Sequence, residues 1–157
     1  MRRKELEVTD RGTIKKILEA CKIVHLGMVD DGVPYVVPMN FTMEMDEAEC
    51  VFYFHSANEG RKIDVMRKSP VVCLEACLYA PSGSSREELA SGTDARRYQC
   101  VIGTGKAEFV EDLQEKARLL AFMGQRHGRK PREYPESFLQ RICVFKVRLD
   151  ELACKQH

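Results

Sequence analysis

The sequence predicts a mostly β domain with inserted helices, built as a six-stranded antiparallel β-barrel rather than a doubly wound sheet. About six short strand-like runs recur along the chain, and helical stretches are inserted between them. Two of these runs flank an Asp-Gly turn, a pairing typical of an antiparallel hairpin. A length of 157 residues suits one core. We therefore interpret residues 1–157 as a single domain.

The charge balance and the lack of long apolar runs exclude some classes of function. The chain has 25 Lys plus Arg and 24 Asp plus Glu, so we expect no broad basic face and no nucleic-acid partner. No apolar run reaches the length of a membrane span, and the first residues lack the apolar middle of a secretory signal. We expect a cytoplasmic protein without membrane association.

The chain contains 7 cysteines, an odd number, and has no Cys-x-x-Cys pair. In a cytoplasmic protein these are expected to be free thiols, several of them buried as small apolar residues. Cys73, Glu75 and Cys77 would share one face of a strand. Because a third and fourth ligand at the usual spacing are absent from the sequence, we predict no metal site.

The first third of the chain predicts a helix and a hairpin. Thr9 or Asp10 can cap a helix over residues 12–20, and strands are expected over residues 23–29 and 34–42. Pro34 and Pro38 interrupt the second strand, so it should be an edge or a bulge whose backbone can face a ligand. Residues 44–49 are predicted to form a polar turn.

Residues 51–55 alternate as a strand, with two phenylalanines on one face and His55 on the other. Ser56 and Asn58 are N-cap candidates for a helix that ends near Lys68, before Pro70. At the start of that helix lie Gly60, Arg61 and Lys62. Free backbone N–H groups and two cations would form an anion clamp, although two solvated surface charges remain an alternative interpretation.

The second half predicts two more strands before a helix. A strand over residues 71–78 is followed by a loop or short excursion over residues 80–95 and a long strand over residues 97–110. On the long strand, Gly103 and Gly105 share one face, while Tyr98, Cys100 and Thr104 share the other. The glycines allow close approach of another element or a flat ligand, or mark a bend in the sheet.

A helix over residues 112–125 and a basic run over residues 126–132, interpreted as solvated, precede the last predicted strand. That strand covers residues 142–149 and places four apolar side chains on one side: Cys143, Phe145, Val147 and Leu149.

Three segments, in the same order along the chain as in a known family, carry a resemblance: HLGMVDDGVPYVVPMNF at residues 25–41, VFYFHSANEGRKID at residues 51–64, and YQCVIGTGKAEFVED at residues 98–112. The chain resembles the FMN-binding split-barrel proteins related to pyridoxamine 5'-phosphate oxidase. Within them it looks most like the 5-nitroimidazole-resistance branch, because a strand ending in His-Ser and followed by Gly-Arg-Lys is characteristic of that branch.

The resemblance implies a homodimer with FMN at its interface and the phosphate on residues matching Arg61 and Lys62. FAD would bring a phosphate to the same clamp. The remaining residues that the resemblance assigns to the cofactor are Val37, Pro38, Met39 and Asn40 along the ring, His55 and Ser56 at the strand end, and Tyr98 and Cys100 on the long strand.

His55 and Ser56 replace a tyrosine and a threonine of the oxidase proper, so pyridoxamine 5'-phosphate is not the expected substrate. The resemblance makes His55 a candidate catalytic residue, with cofactor packing as its alternative role. Our first hypothesis is an FMN-dependent oxidoreductase that reduces a small acceptor, such as a nitroimidazole or another nitro-aromatic. The second is a flavin- or haem-binding module without efficient turnover.

Overall fold

The computed structural model describes residues 2–79, 98–130 and 132–157, so the loop predicted over residues 80–95 lies outside the described residues. The described strands are β1 (Ile23–Asp30), β2 (Val33–Asn40), β3 (Thr42–Met45), β4 (Cys50–Ala57), β5 (Val71–Tyr79), β6 (Tyr98–Val110) and β7 (Ile142–Gln156). The described helices are α1 (Arg11–Ala20), α2 (Arg61–Lys68), α3 (Leu113–Arg126) and α4 (Glu136–Leu139), and a short 3₁₀ helix spans Lys4–Leu6.

The strands form one antiparallel, seven-stranded sheet in the order β2-β1-β5-β6-β7-β4-β3. The prediction of a mostly β, antiparallel domain with inserted helices is therefore confirmed, but the six-stranded barrel was wrong, because the described chain has seven strands that pair as one open sheet. The additional strand is β3, which overlaps the predicted polar turn. Met43 and Met45 are buried and Glu44 is exposed, so a strand alternation was hidden by the surrounding acidic residues.

The two edge strands of this open sheet are joined by a single residue. Asn40 ends β2, Phe41 follows, and Thr42 begins β3 at the opposite end of the strand order. Because consecutive Cα atoms are about 3.8 Å apart, Asn40 and Thr42 lie within about 8 Å of each other. The sheet must curl to bring its edges together, and Phe41 is buried at 2% exposure where they meet.

Local signals at the first hairpin and at the start of α1 are confirmed, and the start of α3 shows a cap that was not predicted from the sequence. Asp31 and Gly32 both adopt positive φ, 50° and 86°, as the tight Asp-Gly hairpin turn requires. Asp10 caps α1 by accepting from the Thr13 N–H at 2.7 Å. Asp112 caps α3 by accepting from the Glu115 N–H at 2.7 Å.

The capping prediction for α2 was wrong. Its N-cap is Gly60, at φ 123°, and no side chain caps the helix. Ser56 still belongs to β4 and donates to the Ala57 carbonyl, and the Asn58 side chain donates to the Gln140 carbonyl at 2.6 Å. Both polar side chains are thus used by neighbouring backbone before the helix begins.

β4 lies between two apolar cores, and its side chains alternate between the two faces as predicted. Phe52 and Phe54 are in the main core together with α1, α2 and the inner sheet face. Val51 and Tyr53 point to the other side and pack under α3 and α4 in a second core. The strand is therefore fixed from both faces, which gives its end a defined position.

Gly103 and Gly105 allow β6 to approach β7 at a register shift between Thr104 and Gly105. A Cβ atom at position 105 would lie 2.0 Å from the Arg148 carbonyl oxygen, so no side chain fits there. Of the two interpretations left open by the sequence, the structure supports a bend in the sheet.

All seven cysteines are free thiols, and Cys21, Cys50, Cys143 and Cys154 are buried as predicted. Within the described ranges, no helix combines the length and apolar character needed to span a membrane.

Candidate functional site

A cavity of about 270 Å³ lies where the ends of β2 and β4 meet the end of α3. Its described lining residues are Asn40, His55, Leu120, Met123, Gly124, His127, Arg129, Arg132, Tyr134, Phe138 and Ile142. The structure thus brings together two of the residues predicted from the sequence, Asn40 and His55. They meet because β2 continues through Phe41 into β3, which pairs with β4.

His55 lies on the same face of β4 as Val51 and Tyr53. Those two side chains are covered by the second core, whereas His55 is exposed at the point where that cover ends. Its imidazole makes no hydrogen bond to any other residue within the described ranges. Both ring nitrogens are thus available to a ligand in the cavity.

The basic run after α3 supplies the cations of the cavity. Gly128 adopts φ 69°, and the Arg129 N–H donates to the Gly124 carbonyl at 3.0 Å, so the chain turns back at the helix end. This turn places His127 and Arg129 on the cavity, and Arg132 joins them with its guanidinium 4.8 Å from the Tyr134 ring centroid. The described lining contains no carboxylate, so the cavity attracts negative charge.

Arg126 in the same run is structural. Its guanidinium donates to the carbonyls of Leu18 and Glu19 at 3.1 and 3.0 Å, and these carbonyls belong to the last turn of α1. The interpretation of this run as solvated surface charge was therefore wrong for Arg126, whereas His127, Arg129 and Arg132 are exposed as expected and also line the cavity.

The cavity lowers the pKa of His55. Loss of hydration at the cavity wall is the larger cause, and the positive charges of Arg129 and His127 add to it. Part of the imidazole still meets solvent, but the surrounding groups exclude enough water to disfavour the imidazolium. His55 is consequently neutral at neutral pH in the ligand-free protein.

The predicted anion clamp lies at the start of α2. The Arg61 Nε donates to the Asp30 carboxylate at 2.9 Å, and its guanidinium lies 4.3 Å from the centroid of the Tyr35 ring. Lys62 is half-buried beside it. Because Gly60 provides no side-chain cap, the first backbone N–H groups of α2 have no side-chain partner in the described structure.

β2 is an edge strand, as its prolines predicted. Val37 and Met39 turn inward and pack partly buried against the main core, so only their backbone can meet a cofactor. Pro38 and Asn40 are exposed on the opposite face. One long edge of β2 is unpaired within the described chain and leaves backbone polar groups free for a ligand.

Tyr98 and Cys100 lie on β6, and the strands β1 and β5 separate them from β2. The Tyr98 ring stacks on His157 with centroids 5.9 Å apart, and the Cys100 thiol donates to Glu75 at 3.3 Å. Neither residue lines the cavity around His55. Their contact with a cofactor, like that of the other predicted cofactor residues, stays a prediction.

The comparison with known protein families identifies the family of this chain. The family profile described as pyridoxamine 5'-phosphate oxidase matches residues 10–156. The chain belongs to this oxidase family. No curated protein matches the chain significantly. The family resemblance stated from the three sequence segments is thereby confirmed.

Solved structures similar to this family member include a candidate 5-nitroimidazole antibiotic resistance protein from Bacteroides thetaiotaomicron. The two chains are 27% identical with a TM-score of 0.81, covering 96% of this chain and 86% of the other. The flavocytochrome Anf3 from Azotobacter vinelandii is 23% identical with a TM-score of 0.76, covering 100% and 72%. The FAD and haem binding protein from Mycobacterium smegmatis is 14% identical with a TM-score of 0.75, covering 96% and 72%.

Sequence reasoning missed the cationic wall of this family member's cavity. His127, Arg129 and Arg132 are distant in sequence from Asn40 and His55, and nothing local ties the two groups together. The available signal was the pair Gly124 and Gly128, which mark a helix end where the chain can reverse.

We predict that Arg129→Gln raises the pKa of His55, because the variant removes a positive charge that disfavours the imidazolium. An NMR titration of the His55 ring protons, assigned with a His55→Gln variant, measures the change. Arg118→Gln, on the part of α3 that does not line the cavity, should leave the pKa unchanged. An unchanged or lowered pKa in Arg129→Gln would contradict the electrostatic account.

Proposed function

We propose that this family member is an FMN-dependent oxidoreductase that reduces a small acceptor, with nitroimidazoles and other nitro-aromatics as candidate substrates. The observation that carries the proposal is the cavity that joins His55 and Asn40 to His127, Arg129 and Arg132. Bound flavin would supply the electron transfer, since side chains alone cannot, and the protein would supply position and electrostatics.

The residues present fit a flavin phosphate. Arg61 and Lys62 flank the uncapped N-terminus of α2, where backbone N–H groups and the positive end of the helix dipole favour an anion. Asp30 and the Tyr35 ring hold the Arg61 guanidinium in place, and its terminal nitrogens make no hydrogen bond within the described residues. The unpaired edge of β2 at Pro38 and Asn40 would offer backbone groups to the ring.

The cavity fits an acceptor that gains negative charge. A nitro group accumulates charge on its oxygens during reduction, and fixed cations stabilise charge that develops in a transition state. Arg129 and Arg132 are the guanidinium donors that line the cavity. Its volume of about 270 Å³ lies at the lower end of typical ligand pockets, which favours a small, flat molecule.

His55 would give a proton to the reduced acceptor. In the ligand-free cavity its pKa is lowered, so the imidazole is neutral. An anionic or charge-accumulating acceptor would offset the positive potential of Arg129 and His127 and favour the imidazolium. The proton would then be taken up from solvent at His55 when an anionic acceptor binds, or as negative charge develops on a nitro group during its reduction.

We further propose that a second copy of the chain covers the outer face of β2, β1, β5 and β6. Large apolar side chains are exposed on this face: Ile23 at 48%, Val29 at 53%, Val36 at 58%, Val71 at 56% and Ile102 at 46%. Several large exposed apolar side chains on one sheet face are typical of an interface. The flavin would lie between the two copies, as the family resemblance implies.

A flavin- or haem-binding module without efficient turnover remains a second candidate function. Two structures with the same fold are, by name, a flavocytochrome and an FAD and haem binding protein. His55 is exposed and has no hydrogen-bond partner within the described chain, so it also suits a ligating role. Electron transfer to an acceptor separates the two candidates.

The clamp predicts loss of flavin affinity in the double variant Arg61→Gln, Lys62→Gln. Each charge-assisted hydrogen bond contributes about 1.5–3 kcal/mol, so the Kd of FMN should rise at least about tenfold for each residue. Fluorescence titration of the apoprotein with FMN measures the Kd. Arg67→Gln, an exposed residue later in the same helix, is the matched control and should bind normally. An unchanged Kd in the double variant would remove the clamp assignment.

The interface proposal predicts that Val36→Asp yields a monomer that also loses flavin, because a charge on a buried apolar face is costly. Light scattering and flavin content measure both effects. Val33→Asp is the matched control and should remain dimeric. Val33 is equally exposed at 58% on the same strand but lies on the opposite face of the sheet. A monomeric wild type that carries bound flavin would contradict the proposal.

The acceptor proposal predicts that holoprotein reduced with dithionite is reoxidised rapidly by a nitroimidazole under anaerobic conditions. Return of flavin absorbance in a stopped-flow instrument measures the rate. His55→Gln should retain flavin and lower this rate about 10²–10⁴-fold, the usual contribution of a general acid. His127→Gln, in the same cavity, should lose less because its contribution is electrostatic.

Two outcomes would count against this function. Full reoxidation rate in His55→Gln would end the proton-donor assignment. If no tested acceptor reoxidises the reduced flavin of the wild type, the binding module without efficient turnover would be favoured instead.

A further inference from the structure

A second group of chemically reactive side chains lies on the outer sheet face, away from the His55 cavity. Glu75 and Cys77 alternate on β5, Cys100 lies directly opposite Cys77 on β6, and His25 lies directly opposite Glu75 on β1. Directly paired residues of an antiparallel sheet share a face, with Cβ atoms about 4.5–5.5 Å apart. Three strands therefore bring four potential metal ligands to one patch.

The side chains in this patch already converge. The Cys100 thiol donates to Glu75 Oε1 at 3.3 Å, and His25 Nδ1 lies 2.7 Å from Glu75 Oε2. One ligand atom from each of Glu75, Cys77 and Cys100 lies within 4.8 Å of the other two. All three residues are half-buried in the single chain, so the patch is organised by the fold and reachable from solvent before a second copy covers this face.

We propose that Glu75, Cys77 and Cys100 bind a thiophilic divalent cation of the Zn²⁺ class, with His25 orienting the carboxylate. Zn–S bonds of about 2.3 Å and Zn–O bonds of about 2.1 Å at a tetrahedral angle separate neighbouring ligand atoms by about 3.6–3.8 Å. The 3.3 Å between Cys100 Sγ and Glu75 Oε1 is close to this separation. Binding needs loss of the two thiol protons and a small movement of Cys77.

The donor set selects the ion. Two sulfur donors and one carboxylate suit Zn²⁺ and disfavour Mg²⁺ and Ca²⁺, which prefer oxygen ligands. His25 occupies the position of a supporting residue, since its ring nitrogen bonds the carboxylate oxygen that does not meet Cys100.

Three protein ligands leave the fourth tetrahedral position open to water or another ligand. Cys73 and Cys77, the pair on a single strand that the sequence drew attention to, are not the pair that converges. The sequence could not predict the site, because the second thiol and the supporting histidine come from other strands.

Titration of the reduced, metal-free full chain with Co²⁺ tests the site. We expect saturation at one ion per chain, thiolate-to-cobalt charge-transfer absorption, the visible bands of tetrahedral Co²⁺, and displacement by Zn²⁺ but not by Mg²⁺. The double variant Cys77→Ser, Cys100→Ser should lose the charge-transfer absorption. Cys73→Ser is the matched control, because it removes a half-buried thiol from the same face of β5 and should bind normally.

The supporting role of His25 has its own readout. His25→Gln should keep the cobalt spectrum and weaken Zn²⁺ binding about 10–100-fold, as measured by competition with a chromophoric chelator. Glu75→Gln should keep the thiolate absorption with weakened binding.

The proposal is overturned if the wild type shows no stoichiometric binding, or if the double cysteine variant keeps the wild-type spectrum. Should that variant fail to fold, alkylation of the wild type decides: bound Zn²⁺ must protect Cys77 and Cys100 and leave Cys73 reactive. Flavin content is measured on the same samples. Loss of the metal site with flavin intact, or the reverse, separates this proposal from the flavin function.

Discussion

The passage of the chain from one edge of the sheet to the other through Phe41 is the constraint on which the rest of the structure depends. β2 and β3 are the two edges of a seven-stranded sheet, yet one buried residue joins them. The sheet must therefore curl until its edges meet, and the main core fills the space inside. The same passage brings Asn40 to the end of β4, where His55 projects. A covalent constraint on the backbone thus creates the cavity.

The positive charges around His55 give this cavity its chemical character. The second core covers β4 as far as Tyr53 and leaves His55 open, while the turn at Gly128 returns the chain after α3 across the gap. Loss of hydration disfavours the imidazolium in the ligand-free protein, and the cations that arrive there add to this penalty. An incoming negative charge would offset the contribution of the cations. In the proposed function, binding of a negatively charged acceptor and protonation of His55 would therefore be coupled through the same two neighbours, Arg129 and His127.

How much the sequence predicts depends on how local each signal is. The Asp31-Gly32 turn, the Asp10 cap and the alternation of β4 depend on adjacent residues, and all were predicted correctly. β3 was missed because acidic residues surround its short alternation, and the α2 cap was assigned wrongly because Asn58 is used by Gln140, 82 positions away. The cationic wall of the cavity and the partners of Glu75 depend on strand order. A single sequence does not determine that order.

The proposed interface and the proposed metal site lie on the same outer face of the sheet. A second copy of the chain over Val36 and Ile102 would remove water from the side chains between them, among which Glu75 is still 33% exposed. A carboxylate that loses its hydration on an apolar face needs a positive partner, because an unpaired buried charge is strongly destabilising. His25 alone meets one of its oxygens; the other faces a neutral thiol. A cation held by Glu75, Cys77 and Cys100 would neutralise that oxygen and the two sulfurs together. Closure of the interface would then favour occupation of the site.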